Sequence, residues 1–300
     1  MENINIRDSV IKTDKKKISS QKVIIWVVFA IFLIYAFTLV FPFAWMLVNS
    51  FRSSKEFYKN PWGVPHSFNI ANYVDAAVKF TKRTRLGNFN ILSMFGISLF
   101  LTIAGTIANV LSSAVSAYVV AKYKFVGRNF LFSLCIFTMI VPIVGTMPAQ
   151  YRLMDALHLT NSLLGMIIIY SGSFGINFFL LYGCFKNISW SYAEAALVDG
   201  ASNAKIFFSI MMPLAMPAIV SVAVLYSISV WNDYVAPSLY MKEIPTLAVG
   251  LNYLVSDYQA EAKTAETFAA MVITILPILA IFIAFQKTIM ENTVAGGLKG

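Results

Sequence analysis

Charge is scarce in this 300-residue chain: Asp, Glu, Lys and Arg together make up 12% of it, against 58% hydrophobic residues. A water-soluble domain carries roughly a quarter charged residues, so this balance excludes an ordinary soluble fold and requires apolar surface to face lipid. Cysteine is almost absent. Cys135 and Cys184 both fall inside apolar runs, which excludes a disulfide framework and leaves them as small packing residues. The two histidines, His66 and His158, lie in separate polar segments, so no metal site is expected. The GxxxxGK(S/T) phosphate loop, HExxH and GxSxG are all missing. The chain is therefore expected to perform no catalysis and to carry no cofactor of its own. Ionisable residues are also missing from the middle of the apolar runs, with Asp233 near the end of one run as the clear candidate. A proton relay or an ion site within the membrane gains no support from that pattern.

What is present is a series of apolar runs. Val23 to Val48 exceeds the roughly 20 residues a helix needs to cross a hydrocarbon core of about 30 Å, and no small-residue cleavage site follows it. Barrel strands would alternate apolar and polar residues, which these runs do not. The fold class expected is an all-α membrane protein with six transmembrane helices, at 23–48, 91–120, 130–149, 162–185, 213–237 and 267–285. The core so defined covers 91–287.

Arg7, Lys12, Lys15, Lys16, Lys17 and Lys22 make residues 1–22 a basic tail beside the first run, which places it in the cytoplasm. Six spans then return the 288–300 tail to the same side, together with the basic turn 121–129 and the polar segment 186–212. Residues 49–90, punctuated by Pro61, Gly63, Pro65 and Gly87, and residues 238–265 become external loops. The first of these departs from the positive-inside pattern, since it holds Arg52, Lys55, Lys59, Lys79, Lys82, Arg83 and Arg85. The net charge of +9 is read as membrane flanks and surface charge, with no nucleic acid as partner.

Within the runs, Ser98, Thr102 and Thr106, then Ala108, Ser112 and Ser116, recur at four-residue spacing with Gly105 and Asn109 between them. Small residues in that pattern suit close helix packing in lipid. Gly172 and Gly175 in SGSFGIN mark either tight packing or a bend beside a water-filled path, and packing is the expectation. No internal repeat is evident, so an inverted-repeat secondary transporter is not supported.

The most informative segment runs from Asn187 to Pro217. Tyr192 to Val198 favours a short helix that Gly200 can close in a left-handed conformation, and Ser202 can cap a second helix carrying Ile206, Phe207, Ile210 and Met211. Ala195 and Ala196 add no bulk and would let another surface approach, while Glu194 offers a charge. The unit suits a rigid knob that enters a groove.

This segment resembles the cytoplasmic signature of the permease subunits of binding-protein-dependent ABC importers: EAA, three residues, Gly, nine residues, then Ile, one residue, Leu and Pro. Glu194, Ala195, Ala196, Gly200, Ile210 and Pro213 stand at those spacings, and Met212 replaces the usual Leu, a change that conserves volume. The resemblance implies a type I importer transmembrane domain, with Glu194, Ala195, Ala196, Asp199, Gly200, Ile210 and Pro213 coupling it to an ATPase. It also implies partners: a homologous second permease, two ATP-binding subunits that hold ATP and Mg, and an extracytoplasmic solute-binding protein. The setting implied is the lipid of a bacterial inner membrane. NPWGVPHSFNIANY (60–73), WNDYVAPSLY (231–240), PTLAVGL (245–251) and the terminal VAGGLKG look like the maltose-type second permease, which implies a carbohydrate substrate. Trp231, Asn232, Asp233 and Tyr234 then have two readings. They form an interfacial anchor, or they line a sugar path in which an aromatic face stacks on the ring and Asn and Asp take hydroxyls. A non-sugar cargo, a secondary transporter and a membrane enzyme are the rival readings.

Overall fold

The computed structural model describes residues 5–297 apart from 67, 80, 141, 142, 261 and 262; for 5–21, 138, 140, 143–144, 257–260 and 288–297 it describes the backbone alone. The first four residues of the basic tail and the last three of VAGGLKG lie outside the described residues.

Helix α1, Asn5–Ser50, is continuous through the basic tail and the first apolar run. Its 29-residue stretch from Lys22 is apolar and faces outward over almost its whole length, as expected where lipid replaces a protein core as the apolar solvent. The region expected as an external loop is a folded cap: α2 (Ser54–Lys59), α3 (Ala71–Val74), a π-helical turn (Asp75–Lys79) and a hairpin of β1 (Thr81–Thr84) with β2 (Gly87–Asn90). The strands pair antiparallel, Thr81 opposite Asn90 and Thr84 opposite Gly87. Polar side chains fold this cap back on the end of α1. Arg52, 1% exposed, donates to Asn49 Oδ1 at 3.0 Å and pairs with the Glu56 carboxylate at 3.3 Å. Asn72 Nδ2 donates to the carbonyls of Ser50 and Arg52, both at 2.7 Å.

Helix α4, Ile91–Lys122, begins where Asn90 caps it by accepting from the Ser93 amide. It is the central post, packed against four later helices, Leu163–Tyr170, Ile176–Asn187, Met216–Asn232 and Leu247–Ala260. Its buried face carries Ser98, Thr102, Gly105, Thr106, Asn109 and Ser113, so the first row of the small-residue stripe faces neighbours, while Ala108, Ser112 and Ser116 of the second row are half-buried. A methyl group added at Gly105 would stand 3.0 Å from the Tyr170 ring.

Of the helices expected to be continuous, the fourth is broken. The third is described as α5 (Arg128–Ile140) and α6 (Ile143–Ala156), residues 141–142 between them lying outside the described residues. The fourth is divided into α7 (Leu163–Tyr170) and α8 (Ile176–Asn187) by the SGSFG stretch. Close packing at its glycines is overturned: a Cβ at Gly175 would meet nothing within 4 Å, and one at Gly172 only the Ile169 carbonyl at 3.9 Å. The bend reading holds, because α4 supplies the hydrogen bonds that unwinding removes. Asn109 Nδ2 donates to the carbonyls of Tyr170 (2.9 Å) and Gly172 (2.8 Å), Ser112 Oγ to that of Ser171 (2.7 Å), and Ser113 Oγ to that of Ser173 (3.2 Å). Unsatisfied carbonyls at membrane depth would each cost several kcal/mol, on the order of the penalty for burying an unpaired polar group.

Then follow α9 (Ser191–Val198), α10 (Asn203–Ile206), a π-helical turn (Phe207–Met211), α11 (Met212–Leu214) and α12 (Met216–Asn232). The chain turns by 78° between the 203–214 stretch and α12. The fifth span, expected to reach 237, stops at Asn232, and α13 covers Val235–Tyr240. The expected external loop 238–265 contains α14, Leu247–Ala260, held against α4 by the Leu247 amide donating to Ser98 Oγ at 2.7 Å. Helix α15, Thr264–Gly297, closes the chain and is longer than the expected span.

Among the described residues three helices are continuous, long and apolar enough to cross a membrane, and the bent pair ending in α12 makes a fourth. The two remaining expected spans correspond to α5 with α6 and to the interrupted pair α7–α8. The end of α1 and α2 pack against the start of α15, α2 through Ser54 Oγ donating to Glu266 Oε2 at 2.8 Å. The α9–α10 unit sits at the opposite end of α4, where Lys122 Nζ donates to the carbonyls of Lys186 and Ile188.

Candidate functional site

The first candidate is the α9–α10 unit. Helix α9 ends in a hydrogen-bond pattern that Gly200 makes possible: at φ +76° it donates to the Leu197 carbonyl (3.0 Å), and Ala201 donates to that of Ala196 (2.9 Å). These are the two bonds of a Schellman motif, with Asp199 as the cap residue. Ser202 then caps α10 by accepting from the Lys205 amide at 3.3 Å. The helix, turn, helix unit expected from sequence is therefore present, with α9 starting at Ser191.

Helical period decides which side chains the unit displays. Ala193 and Ala196 are buried, whereas Glu194, Ala195 and Asp199 are exposed. Ala196, expected beside Ala195 on the approach surface, points inward instead, where its small size lets α9 lie close to the helices beneath. Leu197 and Val198 are exposed beside Glu194, with Val198 at 88%, and Tyr192 joins them. These apolar residues were missed in the sequence; the signal was Val198's position opposite the buried 193 and 196, with Tyr192 and Leu197 flanking them. Ile210 is half-buried against the core, and Pro213 is exposed at the start of α11.

The unit is anchored rigidly. Ile206 and Met211 are fully buried, and the Phe207 ring lies 5.0 Å from Tyr118 of α4 and 6.2 Å from Phe185 of α8. Dense aromatic packing of this kind transmits displacement instead of absorbing it.

The second candidate lies within the helix bundle. A recess of about 360 Å³ is lined by Tyr170, Tyr226, Ser229, Val230, Asn232 and Asp233. The Asp233 carboxylate accepts from Tyr170 Oη at 3.0 Å and from the amides of Val235 (2.9 Å) and Ala236 (3.2 Å), which fixes it at the joint between α12 and α13. Tyr226 Oη donates to the Tyr170 carbonyl at 2.7 Å, tying the recess to the unwound 171–175 stretch. Asn232 is exposed with its Nδ2 on the Ile228 carbonyl, and Tyr234 is exposed.

Trp231 is the correction here. It is 3% exposed, its Nε1 donates to the Thr274 carbonyl at 3.2 Å, and its ring meets Phe95 edge-on at 5.5 Å. It packs α12 against α4 and α15 and offers no free face. The aromatic walls of the recess are Tyr170 and Tyr226, which the sequence reading did not select. Tyr226, Ser229 and Asp233 stand at i, i+3 and i+7 of one helix face, and Tyr170 immediately precedes the glycine break.

No group of three His, Cys, Asp or Glu suited to a metal occurs among the described residues.

A family model described as "binding-protein-dependent transport system inner membrane component" matches residues 111–291. The chain is 30% identical over 263 residues to a probable starch degradation products transport system permease protein, AmyC, of Thermoanaerobacterium thermosulfurigenes, covering 86% of this chain and 91% of that one. It is 27% identical over 272 residues to the diacetylchitobiose uptake system permease protein NgcG of Streptomyces coelicolor, covering 89% and 86%. Its fold matches a chain of a bacterial ABC transporter involved in import of the acidic polysaccharide alginate, with a TM-score of 0.75 at 22% identity, covering 89% of this chain and 97% of that one.

Proposed function

From the premise that this chain belongs to the binding-protein-dependent transport system inner membrane components, we propose that it is a permease subunit of an ATP-driven importer that passes a carbohydrate across a bacterial inner membrane. An extracytoplasmic binding protein delivers the carbohydrate. A homologous second permease completes the path, and two ATP-binding subunits supply the energy. The chain itself performs no covalent chemistry.

The observation that carries this reading is the rigid α9–α10 unit. Glu194, Ala195 and Asp199 face outward with exposed Leu197 and Val198 beside them, an apolar and acidic surface fit for a groove in another protein. Phe207, Ile206 and Met211 root it in the bundle, and Gly200, Ile210 and Pro213 shape its turn and bend. Closure of the ATP-binding subunits moves this unit, and the packed helices follow as bodies toward an outward-open arrangement. On this reading the face bearing α9, with both chain termini, is cytoplasmic.

The Tyr170–Asp233 recess suits a polyol. Ring faces cover the apolar side of a sugar, and the Asp233 carboxylate, Asn232 amide and Ser229 hydroxyl exchange hydrogen bonds with its hydroxyls. The names of the relatives AmyC and NgcG point to carbohydrate cargo as well.

The test is uptake in cells. Glu194→Lys and Gly200→Asp are expected to abolish transport while the chain remains in the membrane at normal abundance. Normal uptake by both variants would defeat the coupling assignment.

A further inference from the structure

The face opposite α9 carries positive charge that transport through the bundle does not use. Lys82, Arg83, Thr84 and Arg85 of the hairpin, with Lys242 and Glu243 from the segment after α13, line an open recess of about 430 Å³. The two segments are far apart in sequence and are stapled together. Thr84 Oγ1 donates to the Glu243 carbonyl at 2.9 Å, the Arg85 amide donates to Glu243 Oε2 at 2.7 Å, and the Glu243 amide donates to Asn161 Oδ1 at 3.0 Å. The backbone beneath the charges is therefore fixed, and the one carboxylate in the recess is engaged by a main-chain amide. Among the described residues Lys82, Arg83, Arg85 and Lys242 form no ion pair. Elsewhere in the same cap Arg52 pairs with Glu56 and Lys79 with Asp75.

Four cations gathered around a single carboxylate leave net positive charge and repel one another, and outer loops rich in Lys and Arg oppose the usual insertion bias. Both costs are offset when carboxylates arrive. We propose that this recess is the electrostatic seat of the extracytoplasmic binding protein, which presents Asp and Glu side chains to Lys82, Arg83, Arg85 and Lys242; the proposal rests on the permease reading. A protein surface fits better than a carboxylated sugar. The recess is shallow, and the aromatic ring beside it, Tyr253, already has one face occupied by the Lys82 ammonium, 3.0 Å from the ring centroid. Flexible cationic tips on a rigid base steer a charged partner into register and accelerate encounter.

The experiment uses the whole transporter in nanodiscs, titrated with its binding protein while ATP hydrolysis is followed. Arg83→Glu with Lys242→Glu, neither side chain being part of the staple, is expected to raise the half-saturating binding-protein concentration on the order of tenfold near 50 mM salt. Hydrolysis without binding protein and the maximal stimulated rate stay unchanged. The wild type loses this advantage as salt rises to about 300 mM, whereas the variant is nearly salt-independent. Arg83→Lys with Lys242→Arg keeps the wild-type response, and Lys substitutions at acidic positions of the binding protein's docking face restore the double-Glu variant. Unchanged half-saturation at low salt overturns the proposal. So does an unchanged half-saturation accompanied by poorer uptake of a carboxylated oligosaccharide than of a neutral one, which assigns the recess to substrate. A wild-type transporter that its binding protein fails to stimulate at all removes the permease reading itself, a failure distinct from loss of salt-sensitive docking.

Discussion

Asp233 and Trp231 are two positions apart yet have opposite fates. Asp233 is held in the recess by one phenol and two amides, so its charge is presented to whatever enters. Asp233→Asn keeps the shape and one acceptor while removing the charge; sugar uptake is expected to show a KM raised on the order of tenfold, with ATPase stimulation retained. Trp231 fills the core. Trp231→Ala is expected to cost about 3 to 5 kcal/mol through the cavity left behind, seen as a lower thermal midpoint in detergent, with no selective change in KM among the molecules that remain folded. A change in substrate preference at unchanged stability would return Trp231 to the sugar path.

At the scale of elements, the break between α7 and α8 depends on α4. Asn109 serves two carbonyls of the unwound stretch and accepts from Asn177 Nδ2 at 2.7 Å. Asn109→Ala strands the Gly172 carbonyl and the Asn177 side-chain amide, while the Tyr170 carbonyl keeps its bond from Tyr226; each stranded group costs about 1 to 3 kcal/mol, so a clear drop in thermal midpoint together with weakened uptake is expected. The cap after α1 gives a pH dependence of known sign. The Glu56 carboxyl is held below its usual range, first by the hydrogen bond from the His66 side chain, then by the His66 amide, with the charges of Arg52 and His66 adding to the effect. A carboxyl whose pKa is depressed by folding stabilises the fold above the ordinary carboxylate range. That contribution is lost as pH falls below about 4 through the folded pKa. Amide exchange across 54–66 is expected to rise more steeply between about pH 5 and pH 3 in the wild type than in Glu56→Gln.

At the scale of the molecule, stability is concentrated around α4 and thins toward α1. Side chains of α1 between Ile24 and Val40 are exposed to the surrounding phase, while Leu101 and Phe178 are fully buried. Exchanging one apolar residue for another along that stretch of α1 is expected to shift stability by no more than about 0.5 kcal/mol, whereas Leu101→Ala or Phe178→Ala costs about 2 to 5 kcal/mol. Thermal unfolding in a single detergent separates the two groups. The same layout explains the proposed mechanics: α9 is rooted where packing is densest, so its motion moves the bundle instead of bending locally.

The sequence by itself determined that the chain must live in lipid, because its apolar runs exceed a bilayer's thickness and its charge is too sparse for water. It also determined the α9–α10 unit, since Gly200 and Ser202 act through bonds to near neighbours and local chemistry suffices for them. Tertiary structure alone decided which residues look inward. In water, the contrast between apolar and polar faces marks the buried side of a helix; in lipid both faces are apolar, so Trp231 and Tyr170 could not be told apart by hydropathy. It likewise decided the interruption at 171–175, which exists because polar groups of α4 some 60 residues away satisfy it, and the basic recess, whose Thr84 and Glu243 stand 159 positions apart. Such long-range hydrogen bonds leave no period in the sequence, because they form only once the helices between them have packed.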